Sequence, residues 1–224
     1  MKRKKDTEKR VWDSVRSLMG DGEIRLGRHW SYNLHNDPKR LAFVLSRYKF
    51  AARMGGRNKR ILELGCSEGI GAPILAEFAE SYTGIDSDGD AICTAKQNWT
   101  AGKFRFVEDD FLAKTYGSFD VIVSLDVVEH ILPAGERLFF EAIHKNTAKE
   151  GMAVIGTPNL ASADYASSAS RAGHVNMFDA ERLEKAMKRY FRNVFIFGMN
   201  DEIVHTGFYP MAHYLICVGS GKKT

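Results

Sequence analysis

Residues 61–71 read Ile61-Leu62-Glu63-Leu64-Gly65-Cys66-Ser67-Glu68-Gly69-Ile70-Gly71. An apolar run with an acidic residue near its end passes into a glycine turn, which marks a strand feeding the start of a helix, the local geometry of a nucleotide site. In a dinucleotide site the glycines run G-x-G-x-x-G, and the second is bare so that the backbone can touch a pyrophosphate. Here the residue two after Gly65 is Ser67, and Glu63 puts a carboxylate beside the place a pyrophosphate would occupy. A dianionic linker is poorly served by this arrangement and a cationic ligand is well served.

Working outward, short apolar runs bounded by Gly, Asp or Pro alternate with helix-like segments, the pattern of an α/β domain with a mostly parallel sheet. Five runs come in order, Ile61 to Leu64, Tyr82 to Ile85, Phe104 to Val107, Val121 to Leu125 and Met152 to Ile155; Val194 to Phe197 and His213 to Val218 follow. The fourth run is apolar on both faces, as a central strand covered by helices should be. Gly198 to Ala212 has no helical repeat, so the last two runs are expected to pair antiparallel at one edge. Before the first run, Asp37 and Pro38 look like an N-cap and first-turn proline. Leu41, Val44, Leu45, Tyr48 and Ala52 follow at helical spacing, up to a Gly55-Gly56 stop. His29, Trp30 and Tyr32 form an aromatic cluster ahead of that helix, read as a core plug rather than a ligand cover. Leu160 to Val175, rich in Ala and Ser, emerges from the C-terminal end of the fifth strand, where open α/β sheets bind ligands.

Two further strand ends repeat the acidic device. Asp86 follows the second strand, where a carboxylate can accept hydrogen bonds from both hydroxyls of a ribose. After the third, Asp110 is placed for an adenine amino group and Phe111 for the face of the ring. A ligand with adenosine, no pyrophosphate and a positive centre is S-adenosylmethionine. The sequence resembles the class I methyltransferases in Glu63 to Gly69, Gly84-Ile85-Asp86, Glu108-Asp109-Asp110-Phe111 and Phe119 to Asp126, over a span from Leu41 to Val218. The expected cofactor-binding residues are Glu63, Gly65, Ser67, Gly69, Asp86, Asp110, Phe111 and Asp126; Ser67 departs from the glycine many members carry. The resemblance implies a Rossmann-like seven-stranded sheet with helices on both faces and a terminal antiparallel hairpin. Residues 37–224 would form that domain, with a substrate-side insertion at 160–175, and residues 1–36 a basic tail and aromatic segment.

After the fourth strand comes Asp126-Val127-Val128-Glu129-His130, and later His174 with Phe178 four residues on. This D-x-x-E-H with H-x-x-x-F is similar to two metal-using subsets, the ubiquinone-biosynthesis O-methyltransferases and the small-RNA 2′-O-methyltransferases. By that resemblance Asp126, Glu129, His130 and His174 would hold a divalent ion, and two nitrogens with two oxygens suit manganese, iron or zinc better than magnesium. The competing reading is metal-free, with Glu129 orienting substrate and His130 or His174 as general base. His205, with Asp201 and Glu202, lies on the substrate side as a weaker candidate; His29, His35, His144 and His213 have no assigned partner.

Thirty-two Lys and Arg against 28 Asp and Glu give a net charge of +4, which does not demand a polyanionic partner. Much of the excess sits in Lys2, Arg3, Lys4, Lys5, Lys9 and Arg10, read as a solvated tail rather than a nucleic-acid grip. The cysteines Cys66, Cys93 and Cys217 lack paired spacing, and no run approaches the roughly 18 apolar residues a membrane span needs. The expectation is a cytoplasmic enzyme with no membrane partner that methylates an oxygen of a small hydroxylated metabolite: a sugar, a nucleotide-linked sugar or a phenol. Ser46 to Phe50 and Gly198 to Glu202 are loosely similar to methyltransferases of surface-polysaccharide biosynthesis. The alternatives are an RNA 2′-O- or protein methyltransferase and a non-catalytic cofactor-binding module.

Overall fold

The apolar runs become strands of a single eight-stranded sheet in a computed structural model that describes residues 2–19 and 22–224. In chain order the elements are α1 (Lys2–Met19), α2 (Gly27–Asn36), α3 (Lys39–Gly55), β1 (Arg60–Leu64), α4 (Ala72–Leu75), β2 (Ser81–Asp86), α5 (Gly89–Asn98), β3 (Phe104–Glu108) and β4 (Phe119–Leu125). These are followed by α6 (Glu136–Asn146), β5 (Thr147–Pro158), α7 (Ser168–Gly173), α8 (Ala180–Lys188), β6 (Phe191–Asn200), β7 (Ile203–His205) and β8 (Tyr214–Lys222). The strand order is β3-β2-β1-β4-β5-β8-β6-β7. The first five are parallel; β8 runs antiparallel between β5 and β6, and β7 pairs antiparallel with β6. The last two expected runs do pair antiparallel, as β6 and β8, with β8 inserted between β5 and β6 and β7 lying outside β6. The one strand beyond the seven expected, β7, is only three residues long, too short to register as a period-two pattern.

The pleat divides the core. Ile61, Val121 and Val123 face one side with α3, α4 and α5, while Leu62, Leu64 and Ile122 face the other with α6 and α8. Strand β4 lies between β1 and β5, as its two-sided apolar character requires. Helix α3 begins one residue later than the expected cap: Pro38 holds the cap position, and Asp37 instead closes α2 with its N–H on the Asn33 carbonyl. The aromatic segment is helical, and its cluster splits, Trp30 packing into the core while Tyr32 stays exposed. The basic start is helical through Met19; the side chains of residues 2–6 lie outside the described set. The insertion forms a 3-10 turn at Leu160–Tyr165 followed by α7.

Candidate functional site

The glycine turn after β1 is built on left-handed backbone. Gly65 (φ +83°), Ser67 (φ +47°) and Gly69 (φ +71°) all have positive φ. A Cβ on Gly65 would collide with Val127 Cγ2, so glycine is required there for space as well as conformation. Ser67 bears the conformation with a side chain, its hydroxyl donating to Glu68 Oε2 at 2.6 Å and its N–H to Asp86 Oδ2 at 2.8 Å. Asp86 Oδ1 accepts the Asp88 N–H at 2.9 Å. The half-buried Asp86 carboxylate is thus fixed against the turn with lone pairs left over. Glu68, which no sequence pattern singles out, is 4% exposed and accepts the His29 N–H at 2.7 Å. It pins α2 over the turn, and Gly27 (φ +75°) is bare because a Cβ there would collide with Glu68 Cγ. Ser67→Gly is expected to shift stability by no more than about 1 kcal/mol, relief of the left-handed backbone offsetting the lost hydroxyl bond. Ser67→Val, β-branched at positive φ, should cost about 2 kcal/mol or more. Equal melting temperatures for the two variants would contradict this account.

Glu63 does not face the cleft. The pleat sends it to the α3 side, where it is fully buried, accepting from the Tyr48 hydroxyl at 2.7 Å and from the Tyr82 hydroxyl. Burial raises its pKa to about 7 against the lowering effect of the two tyrosines. The carboxylate expected beside the ligand is instead a strut beneath the turn.

At the end of β4 the D-x-x-E-H residues separate into two groups. Asp126 (φ +59°) accepts from Arg47 Nη1 on α3, with both carboxylate oxygens at 2.8 Å. The Arg47 guanidinium lies 3.7 Å from the centroid of the Tyr214 ring. Asp126 is therefore already paired. Glu129, buried in a 3-10 turn, accepts from Thr157 Oγ1 at 3.0 Å through Oε2, while Oε1 is buried without a partner. Its pKa is raised to about 8, chiefly by burial and then by Asp126. His130 Nδ1 lies 2.9 Å from the Gly173 carbonyl, and the His130 and His174 rings meet edge to face at 5.1 Å. The Glu129 carbonyl accepts from Val175 and Asn176 at 2.8 and 3.1 Å, stitching the insertion to the turn. Ligand atoms of Glu129, His130 and His174 all lie within 4.8 Å of one another. With Glu129 Oε1 and His174 Nδ1 buried and unpartnered, these three side chains suit a divalent ion of the nitrogen-binding kind. The fourth expected ligand, Asp126, is outside the set, held by Arg47.

Burial, then the neighbouring His130, lower the pKa of His174 below its ordinary value; Arg40 acts in the same direction. Arg40 also lowers His29, so its charge is felt at both histidines, and its guanidinium has no ion pair among the described residues. Asp110 is exposed and takes the Leu112 N–H at 3.1 Å, which leaves it a free oxygen. Phe111 packs edge to face on Phe139 within the core. Asp201 (φ +51°) serves the turn between β6 and β7, and His205 packs its ring over Gly198. His144 pairs with the Lys223 carbonyl at 2.8 Å. A cavity of about 890 Å³ lies between α2 and α5 and is bordered by Glu68 and Asp88. It flanks the Glu68 side of the turn, and neither His130 nor His174 lines it.

The chain matches a family model described as a methyltransferase domain over residues 25–191. It is similar to ubiquinone biosynthesis O-methyltransferases from a Caulobacter species, at 28% identity over 134 residues covering 55% of this chain and 52% of that protein. The same holds for Thiobacillus denitrificans, at 28% over 153 residues covering 58% and 63%. The chain spans about half the length of the curated relatives it matches. The N-methyltransferase NodS of Bradyrhizobium japonicum, solved with S-adenosyl-L-homocysteine, has a TM-score of 0.64 at 20% identity, covering 85% of this chain and 91% of that one. A TehB-like S-adenosylmethionine-dependent methyltransferase from Corynebacterium glutamicum has a TM-score of 0.62 at 20% identity and covers all of both chains. At these identities the likeness is one of fold: a Rossmann-like class I sheet with C-terminal antiparallel strands.

Proposed function

The chain belongs to the methyltransferase-domain family, of the class I S-adenosylmethionine-dependent type, and from that premise we propose that it methylates an oxygen of a small hydroxylated metabolite. A sugar, a nucleotide-linked sugar or a phenol fits, and the loose similarities at Ser46 to Phe50 and Gly198 to Glu202 favour a sugar of surface-polysaccharide biosynthesis. One observation carries the reading: Glu129, His130 and His174 converge within 4.8 Å at the C-terminal end of β4, beside the insertion.

The bound S-adenosylmethionine supplies an electrophilic methyl group on a sulfonium whose departure leaves a neutral thioether. The protein's task is therefore alignment and removal of a proton. Asp86 takes the ribose hydroxyls, Asp110 the adenine amino group, and Gly65, Ser67 and Gly69 let the backbone approach. Arg40, half-buried and without an ion pair among the described residues, is the group we assign to the methionine carboxylate. Asp126, neutralised by Arg47, shapes the backbone next to the reacting methyl. Its lowered pKa keeps His174 neutral near pH 7, able to take the hydroxyl proton or to act as a ligand. A divalent ion would be held by Glu129, His130 and His174, and would polarise and clamp a substrate hydroxyl.

The test is incubation with methyl-labelled cofactor and fractionated cell extract, with and without a chelator. Label in a small-molecule fraction, reduced by the chelator, is expected; label in RNA or protein would overturn the substrate class. Titration with manganese tests the ligand set directly. His174→Ala should weaken binding by about tenfold or more, whereas Asp126→Asn should change it by less than about twofold, because Arg47 already holds that carboxylate. The reverse ranking would rule out the three-ligand set.

A further inference from the structure

Helix α1 carries an apolar face that the rest of the described chain does not cover. Val11, Trp12, Leu18 and Met19 are 60–87% exposed, and with half-buried Val15 they fall in one arc of about 120° at helical spacing. Glu8 closes that stripe on its N-terminal side; by the same spacing Lys9 and Arg16 flank it on one side and Arg10 on the other. The charge of the protein is concentrated here. Residues 2–19 hold seven basic and three acidic side chains, and the remainder of the chain holds twenty-five of each, so the whole net excess of +4 belongs to this helix.

We propose that α1 lies on an anionic phospholipid bilayer, its Val11-Trp12-Val15-Leu18-Met19 face at the boundary of head groups and acyl chains and its basic flanks on the lipid phosphates. A predominantly polar helix with Trp and Leu gathered on one side and Lys and Arg beside them is the physical description of an interfacial helix. A single-stranded nucleic acid would call for aromatics interleaved with the basic residues, whereas here one aromatic sits in an aliphatic stripe. A second copy of the helix would bring two strongly positive segments together. The proposal departs from the expectation of a solvated tail with no membrane partner: no described helix is long and apolar enough to cross a membrane, but lying on a membrane is a separate property. The proposal does not depend on the methyltransferase reading.

Co-sedimentation of the full chain with vesicles of phosphatidylglycerol and phosphatidylcholine, against phosphatidylcholine alone, tests it. Partitioning should be about tenfold or more stronger on the anionic vesicles and should fall about tenfold at high salt. A Trp12→Ala/Leu18→Ala variant should lose about tenfold while keeping the parent melting temperature, since these side chains are exposed. Trp12→Phe should retain binding but lose the blue shift in tryptophan emission on vesicle addition, separating insertion of this ring from any response of Trp30 or Trp99. Failure to sediment with anionic vesicles at low salt would overturn the proposal. So would capture by homopolymeric single-stranded RNA that is indifferent to the Leu18→Ala change, or self-association abolished by the double variant without vesicle binding.

Discussion

Asp86→Ala is expected to weaken the binding of S-adenosylhomocysteine by about a hundredfold or more. The Asp86 oxygens hold the N–H groups of Ser67 and Asp88 at 2.8 and 2.9 Å, which fixes the carboxylate and leaves lone pairs for the ribose hydroxyls that the proposed function assigns to it. Two charge-assisted bonds to the ligand are worth about 1.5–3 kcal/mol each, and about 3 kcal/mol in all corresponds to the hundredfold loss. The alanine also releases the N–H that helps keep Ser67 at positive φ, so the turn loses its anchor together with the ligand contact. Asp110→Asn, at an exposed site, should cost no more than about tenfold. Calorimetry with the demethylated cofactor reads both variants, with NAD as the control ligand. A change of less than about threefold for Asp86→Ala, or saturable binding of NAD by the parent protein, would remove the ribose assignment.

The glycine turn and the acids around it are legible in the sequence because they are local. A strand end, a glycine turn and an acid about twenty residues on are separations along one chain, and the fold converts them directly into neighbours. What is not legible depends on which way a side chain points or on partners far away in sequence. Glu63 stands two residues before Gly65, and the strand pleat alone decides whether it faces ligand or helix; Tyr48 and Tyr82 settle it, 15 and 19 residues away. Asp126 loses its expected role to Arg47, 79 residues distant, a pairing no local pattern announces. Glu68 carries no signal beyond its place in the turn, and its contact with α2 exists only in the folded chain. The insertion is identified by its position, but its attachment to Glu129 and His130 runs through backbone carbonyls, which every residue type shares. Helix α1 is hidden for another reason: its basic residues register first as charge, while the apolar stripe that follows them is only five residues wide.

The buried strut at Glu63 makes the stability of the ligand-free protein pH-dependent, with a definite sign. Its folded pKa is about 7 against an unfolded value of 4.5. The raised value means the folded state binds the proton more tightly. The contribution is then fully present below pH 4.5, declines as pH rises towards about 7, and is absent above that value. The difference corresponds to a loss on the order of 3 kcal/mol across that window. Glu63→Gln removes the titrating group and keeps an acceptor and a donor for the two tyrosines, so its melting temperature should fall much less over the same range. Tyr48→Phe works in the opposite direction: that hydroxyl donates to the carboxylate at 2.7 Å and lowers its pKa, so without it the decline should extend to higher pH. Glu129, raised to about 8, leaves a residual slope of the same sign in both variants, which is why the comparison is made between variants rather than with zero. Scanning calorimetry from pH 5 upward gives the result. Parallel curves for the parent and Glu63→Gln would mean that the two tyrosines hold a carboxylate already ionised throughout, and that the glycine turn rests on a permanently charged strut.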